Sequence, residues 1–457
     1  MLTKEVHWQL ELLQILDQQD KWYSRSDLSH ITGLNVNTIQ KYLDQLQALM
    51  QDFSAVSLEK HRNYGVRLVR ESDFPLDRLL RDIVRQSTLV RLLEELLVYG
   101  KVDTQEFCEQ QFISPSTLRR TIAKLTKELE PLRLSLSKGT IIHLKGPEHQ
   151  IRYLFFQYLW SIYRGVKELP WEIDEQISYP IEQLADLFSY EFSQTQRSQL
   201  GVLLFIFEKR NAVQATETIA VPLNFEAPSL FDHWNRNEWG TLLFFLSIFP
   251  LFFDLSEKIN FMEISAQTET WVSSQSDSWF DVFEKHFSVT IDDQTAVRGQ
   301  LRRLFLFNRY LKEVHTLTSL FPIVDDQRLK KIVPRYMETF ADFMSEFLTK
   351  TTSTNPKMTE LFSLLLANLL IPYLTYRPKA RLYVLSDLGP VFEQLQKDLL
   401  IAALSNHYQL EFVEDEAAAD LVLSNMPTHH AKALQVRSTI NTRDIRLIRQ
   451  ALAKRTT

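Results

Sequence analysis

Side chains suited to reading a nucleic acid gather just after one helix start: Ser116, Thr117, Arg119, Arg120 and Lys124, with Lys138 further on. Guanidinium forks match guanine edges and phosphate oxygens, while hydroxyls and ammonium groups reach phosphates and base acceptors. A second set stands earlier: Asn37, Thr38, Gln40 and Lys41, with Arg62 downstream. Both sets belong to one 13-residue pattern that repeats without a gap at an offset of 79 residues, over residues 34–46 and 113–125. Each copy opens on an apolar residue and then a cap former, Asn35 or Ser114. Apolar residues follow at i, i+4 and i+7: Ile39, Leu43, Leu46 and Leu118, Ile122, Leu125. That spacing puts them on one helical face and leaves the polar readers on the other. The repeat predicts two recognition helices and double-stranded DNA as the partner.

The elements that must hold these helices are legible around them. Ser24-Arg25-Ser26-Asp27 predicts a capping box and a short helix through Ile31, closed by the turn Thr32-Gly33. At the same offset Asp103-Thr104-Gln105-Glu106 predicts a second capping box, but Phe112 stands where Gly33 stands. The second turn is therefore expected to be longer or shaped differently. An earlier helix is marked by Val6, Leu10 and Leu13 in one unit, and by Leu89, Leu92, Leu93 and Leu96 in the other, stopping near Gly100. Alternating apolar residues downstream predict a hairpin in each unit. The first has a basic tip at Lys60-His61-Arg62-Asn63, and the second turns at Ser137-Lys138-Gly139-Thr140. Three helices and a two-stranded wing make a winged helix-turn-helix, expected over residues 1–72 and again over 73–147. A generic helical bundle for protein contacts is the alternative for one unit. Two copies in register, each with a basic wing, weigh against it.

Charge distribution refines the picture. The net charge of −6 does not favour a polyanionic partner, yet residues 1–150 balance 20 basic against 20 acidic side chains. From Arg119 to Lys145, seven basic residues face only Glu128 and Glu130. The first recognition helix is nearly neutral, with Lys41 against Asp44. The second unit is thus expected to carry more of the affinity, held in one orientation by a basic patch on an acidic body. The single cysteine, Cys108, excludes an intrachain disulfide and a four-ligand Cys/His metal cluster; a buried structural thiol in a reducing cytoplasm is expected. Lys4, Glu5 and His7 interrupt any leader-like apolar run. The most apolar stretch, Trp239 to Phe253, is 15 residues long and holds Pro250, which predicts a buried core helix and no membrane contact.

Residues 148–376 are rich in Leu and Phe with helical periodicity. Helices are expected near 149–164, 180–191, 195–210, 236–254, 277–287, 295–315, 326–350 and 357–375. The polar run Ser273-Ser274-Gln275-Ser276-Asp277 is expected to turn the chain between two bundles, 148–272 and 273–376. Beyond Arg377-Pro378-Lys379 the pattern switches to strands at 381–385, 409–413 and 420–424 and helices at 391–404 and 442–453. This predicts a small α/β domain, 377–457, with a parallel sheet.

This order of parts resembles the Mga/AtxA family of global transcriptional regulators of Gram-positive bacteria. The likeness is carried by Ser114-Pro115-Ser116-Thr117-Leu118-Arg119-Arg120 and the wing from Leu132 to Gly146. It covers the whole chain in architecture and is specific in motif over residues 1–150. It implies a homodimeric activator whose bundles are PTS-regulation domains, phosphorylated on histidine by the sugar phosphotransferase system through its histidine phosphocarrier protein. His233, His286 and His315 are the acceptors it points to. It implies a tail like the enzyme-IIB component. Here the chain departs from the pattern: Leu385-Ser386-Asp387 follows the first tail strand where a phosphate carrier has cysteine. A structural or dimerising tail is expected, with no catalytic residue and no cofactor. Two other classes are weighed against this reading. A sugar-transport enzyme or phosphocarrier lacks its cysteine and any nucleophile triad or phosphate loop. An RNA-binding antiterminator would not need the winged units.

Overall fold

The computed structural model describes residues 4–165, 168–171, 178–211, 233–249, 252, 254–255, 264–313, 326–351, 355–373, 376–405, 407–428 and 431–453. The chain divides into two units, Met1–Glu269 with Leu306–Pro322, and Thr270–Phe305 with Ile323–Thr457. It is mainly helical, with two helix-turn-helix modules at its start.

In the first module, α1 (Lys4–Asp17) buries Leu10, Leu12, Leu13 and Leu16. The capping box at the start of α2 (Arg25–Thr32) forms as expected, with Ser24 Oγ accepting from the Asp27 N–H at 3.0 Å and Asp27 Oδ2 accepting from the Ser24 N–H at 2.9 Å. Gly33, at φ 71°, closes the helix in the left-handed conformation and delivers the chain to α3 (Val36–Met50). The antiparallel hairpin β1 (Val56–His61) and β2 (Gly65–Arg70) follows. A bridge from Tyr23 to Val66 fastens it to the loop before α2. Gly65 makes that bridge possible: its φ is +95°, and a Cβ there would meet the Tyr23 carbonyl oxygen at 2.1 Å.

The second module repeats the plan with four differences. An extra helix, α4 (Leu76–Arg85), precedes α5 (Thr88–Val98) and packs against α1, α3 and α5. After β3 (Val102–Asp103), Asp103 caps α6 (Thr104–Gln110) by accepting from the Gln105 and Glu106 N–H groups, while the Glu106 carboxylate accepts from Gln110. The expected box is thus one-sided, because Asp103 is itself paired with Ile141 in the sheet. The turn into α7 (Pro115–Leu129) is longer by one residue than the turn into α3, as expected from the missing glycine: α6 ends at Gln110, whereas α2 runs on to Thr32, the counterpart of Gln111. Phe112 takes the left-handed conformation at φ 50°, and the Ile113 N–H donates back to the Cys108 carbonyl at 3.0 Å. The wing also differs from a single hairpin. β4 (Ser135–Leu136) pairs with β6 (Leu144–Lys145), and β5 (Ile141–Ile142) pairs with β3.

The helical block that follows includes α8 (Glu148–Tyr163), α9 (Ser178–Phe188), α10 (Gln194–Asn211) and α11 (Arg236–Ile248). α11 is buried from Glu238 to Ile248, as expected of a core helix. No helix of the described residues is long and apolar enough to cross a membrane. Charges buried in this core are paired. Glu148 accepts from Arg210 at 2.7 and 2.9 Å and from Arg152 at 3.1 Å, and Arg152 also pairs with Glu238. A second buried carboxylate ties the block to the second module: Glu94 on α5 accepts from Tyr158 at 3.1 Å and Tyr163 at 2.6 Å, both on α8. Burial, then the Glu94 charge, pushes both phenols up.

The polar run at 273–277 does not turn the chain. It lies inside α12 (Ala266–Phe287). Its side chains are satisfied within the helix and its packing: Ser276 Oγ donates to the Val272 carbonyl at 3.0 Å, and Thr351 donates to Gln275. Polar composition alone therefore misled. α13 spans Thr295–Tyr310. The helix expected over 326–350 is broken at Val333-Pro334 into α14 (Asp326–Ile332) and α15 (Pro334–Lys350), since proline disfavours a helical residue before it. α16 (Pro356–Leu370) completes this block, where Trp279 stacks on Phe283 and donates to Ser363 Oγ at 2.9 Å.

The tail is the expected α/β unit, with one strand more than foreseen. β7 (Lys379–Leu385), β8 (Gln409–Phe412), β9 (Leu421–Ser424) and β10 (Ala433–Gln435) form a parallel sheet in the order β10-β9-β7-β8. α17 (Pro390–Leu404) and α18 (Thr442–Ala453) accompany it.

Two substitutions test the helix-turn-helix geometry. Gly65→Ala must move Tyr23 or the wing and should cost about 2–4 kcal/mol. Phe112 is 95 % exposed, so Phe112→Gly loses no packing and should gain about 0.5–1 kcal/mol by relieving the left-handed backbone. Urea midpoints of the full chain report both; a lower midpoint for Phe112→Gly would contradict the strain argument.

Candidate nucleic-acid interface

α3 and α7 are superimposable in sequence at the 79-residue offset, and each is 15 residues long. Asn35 caps α3 by accepting from the Asn37 N–H at 2.8 Å. Ser114 caps α7 by accepting from the Thr117 N–H at 3.2 Å. Ile39, Leu43 and Leu46 are buried, as are Leu118 and Leu125, while Ile122 is only half-buried. The polar faces are consequently turned outward in both helices.

Those faces differ in chemistry. In the first module they are largely engaged within the protein. Lys41 pairs with Glu5 at 3.0 Å, and Gln40 donates to Asp44 at 2.8 Å. Lys60 of the wing also holds Asp44, at 2.7 Å, and with Gln40 keeps that carboxyl below its ordinary range. Asn37 is exposed, Thr38 half-buried, and Arg62 exposed at the wing tip. In the second module Arg119, Arg120 and Lys124 are exposed on α7, and Lys138 is exposed in the wing turn. None of the four is in an ion pair among the described residues. Arg120 Nε lies 3.4 Å from the Ser116 carbonyl. Ser116 and Thr117 share hydroxyl contacts with Ser114 at 2.8 and 2.9 Å, so the start of α7 carries a linked set of hydroxyls. A groove of about 830 Å³ runs between the start of α7, Phe112 and the wing at Gly139 and Thr140, with Arg119 in its wall.

Sequence reasoning missed the aromatic side of the first wing. Tyr64 stacks on His61 at 4.5 Å, Trp22 lies edge-on to His61, and the Arg67 guanidinium sits 5.0 Å over Trp22. Aromatic residues interleaved with Lys60, Arg62 and Arg67 were the available signal. Phe112 was noted only as a missing glycine, and its exposure beside the recognition helix was not foreseen.

Residues 3–62 match the profile described as the M protein trans-acting positive regulator (MGA) HTH domain, and residues 72–159 match the Mga helix-turn-helix domain. The chain carries two Mga-type helix-turn-helix domains. It is similar to a trans-acting regulator, provisionally so named, of Streptococcus pneumoniae serotype 4, with 22% identity over 97% of this chain and 96% of that protein. It is also similar to the capsule synthesis positive regulator AcpB of Bacillus anthracis, with 19% identity over 46% of this chain and 41% of that protein. The anthrax toxin expression trans-acting positive regulator of the same organism is 20% identical over 43% of this chain and 41% of its own length. The resemblance to Mga/AtxA-type regulators is thus shown.

The histidines are placed as follows. His233 Nε2 lies 3.0 and 3.1 Å from the two Glu208 oxygens, with its side chain 52% exposed. His286 Nε2 lies 2.8 Å from Glu346 and is 21% exposed. Lys285, Lys350 and His286 together pull the Glu346 carboxyl down to about 2. His315 lies outside the described residues. Cys108 is buried, as expected.

The contrast between the two polar faces fixes an expected outcome. Arg119→Ala/Arg120→Ala should weaken duplex binding by about 1–3 kcal/mol for each arginine that reads a base, or flatten the salt dependence by about one unit for each phosphate contact. Gln40→Ala/Lys41→Ala should weaken it less, because those side chains must first leave Asp44 and Glu5. Fluorescence anisotropy against salt concentration measures both. Wild-type binding by a folded Arg119→Ala/Arg120→Ala variant would overturn the assignment.

Proposed function

We propose that this chain is a DNA-binding transcription regulator of the activating kind, and not an enzyme. The observation that carries this reading is the unpaired basic face of α7, capped and oriented like α3 but stripped of the acids that neutralise the first helix. The relatives named as positive regulators support the direction of control. Asn37, Thr38, Gln40, Lys41, Arg62, Ser116, Thr117, Arg119, Arg120, Lys124 and Lys138 form the proposed contact set. Phosphate contacts of this kind dominate affinity and make it steeply salt-dependent.

The reading divides the chain into winged modules 1–72 and 73–147, PTS-regulation-like helical domains 148–272 and 273–376, and an enzyme-IIB-like tail 377–457, acting in the cytoplasm. His233 is the favoured phosphoacceptor of the described histidines. Its Nε2 faces a carboxylate that orients the ring, and its side chain is the more exposed; the other ring nitrogen is then the nucleophile toward a phosphocarrier protein. The tail is not a phosphate carrier in this reading. Ser386 accepts from Leu388 and Asn425, and Asn425 also binds Asp387 and Ser438, so the loop after β7 is a closed hydrogen-bonded knot. α17 instead offers an exposed apolar stripe at i, i+4 and i+8, Val391, Leu395 and Leu399, with Leu388 beside it; Val391 is 89% exposed. A second copy of the chain is the proposed occupant, since a two-fold arrangement doubles the phosphate contacts.

Matched duplex DNA and RNA in a gel shift test the main reading: duplex DNA should be retained and RNA released at the same salt. Val391→Glu/Leu395→Glu should shift the full chain toward monomer in light scattering while leaving its circular dichroism unchanged. A full dimer in that folded variant would move the interface away from α17.

A further inference from the structure

We propose that the cavity between the α14–α15 break and the start of the tail binds a small organic phosphate. The cavity, about 290 Å³, lies wholly within the second unit and is near the lower end of small-molecule sites. Its wall carries three cations, Lys331, Arg335 and Arg377, against one acid, Glu338. Two buried donors in it have no hydrogen-bond partner: the Tyr336 hydroxyl and Arg377 Nε. Tyr336 is only 2% exposed, so water does not substitute freely. Neighbouring hydroxyls are already used, since Tyr376 meets Thr339 at 3.0 Å and Tyr408 donates to the Arg449 carbonyl at 3.4 Å.

An orphaned buried donor is costly, and native structures seldom retain one without a reason. Here two orphans open into one positively charged space. An oxyanion satisfies both at once and gains charge-assisted bonds from guanidinium and ammonium groups. A cation is excluded by the same charges. Burial first, then the Arg449 and Arg377 charges, depresses the His407 imidazole in the cavity wall. The remaining wall is aromatic, with the Tyr336 and Tyr376 rings 5.5 Å apart, which suits a carbon body attached to the phosphate. Because α15 and the β7 approach both contribute, an occupied site ties the tail to the helical block.

Phenyl phosphate titrated into the full chain by calorimetry tests this, with phenol and inorganic phosphate as comparisons. Saturable binding of phenyl phosphate, weaker binding of inorganic phosphate and none of phenol are expected. Arg335→Gln/Arg377→Gln should weaken phenyl phosphate by about tenfold or more. Tyr336→Phe should weaken it by about threefold or more, and should not lower stability without ligand, because the hydroxyl it removes has no partner. Absence of saturable binding, or unchanged affinity in the folded variants, would overturn the site. Equal affinity for inorganic and phenyl phosphate would overturn the role given to the aromatic wall.

Discussion

A carboxylate removed from water must find donors, and this constraint shapes the junction on which the N-terminal unit depends. Glu94 sits buried on α5, the helix that packs against recognition helix α7. Its tyrosine donors, Tyr158 and Tyr163, come from α8, the first helix of the helical block. Hydrogen bonds to a charged group contribute about 1.5–3 kcal/mol each, and stranding the charge costs more than the bonds are worth. The second module therefore cannot part from α8 without leaving Glu94 to Arg85 alone, 3.5 Å away on α4. At the start of α8 the same rule binds Glu148 to Arg152 and Arg210. A single helix thus carries two buried ionic anchors, one toward the DNA-reading module and one toward the helical core. That arrangement couples the position of α7 to the packing of the helical block.

The repeat shows how one scaffold can carry two chemistries. Caps, apolar stripe and a left-handed turn residue are shared; without the glycine the second turn is one residue longer, and Phe112 takes the left-handed conformation at a solvent-exposed position. What differs is the acid content of the outward face. Asp44 on α3 corresponds at the offset to Ala123 on α7. In the first helix that carboxylate collects Gln40 and Lys60; in the second there is nothing to collect Arg119 and Arg120. Two acids, Asp44 and Glu5, whose places at the offset are taken by Ala123 and Val84, separate a self-satisfied face from one that awaits an external anion.

The modules and the tail were legible in the sequence because their signals are local. A capping box, a 3.6-residue stripe and a period-two strand are each decided within a few residues, so α2, α3, α7 and β7 lie close to where their patterns placed them. The failures have a common cause in tertiary contacts. The run Ser273 to Asp277 looks like a turn by composition, yet Val272 and Thr351 satisfy its polar groups inside a helix. α4 is the exception, since Leu76, Leu79, Leu80, Ile83 and Val84 have the spacing of one helical face and were legible locally. Among candidate contact residues, the sequence could place Lys41 and Gln40 on the outer face, but not reveal that Glu5 and Asp44 hold them there.

The same asymmetry orders the two modules in a binding event. Long-range attraction acts on net local charge, so the basic stretch from Arg119 to Lys145 meets a polyanion first. In the proposed complex the first module would contribute only after Lys41 and Lys60 exchange Glu5 and Asp44 for phosphate. Exposed ion pairs are weak, about 0–1 kcal/mol each, so the exchange is cheap once the duplex is near and unfavourable to no purpose when it is not. A face that is neutral in isolation and cationic on contact adds little to non-specific capture. In the proposed complex it would lengthen the contact once α7 has fixed the register, with Arg62 exposed at the wing tip beside the stacked Tyr64 and His61.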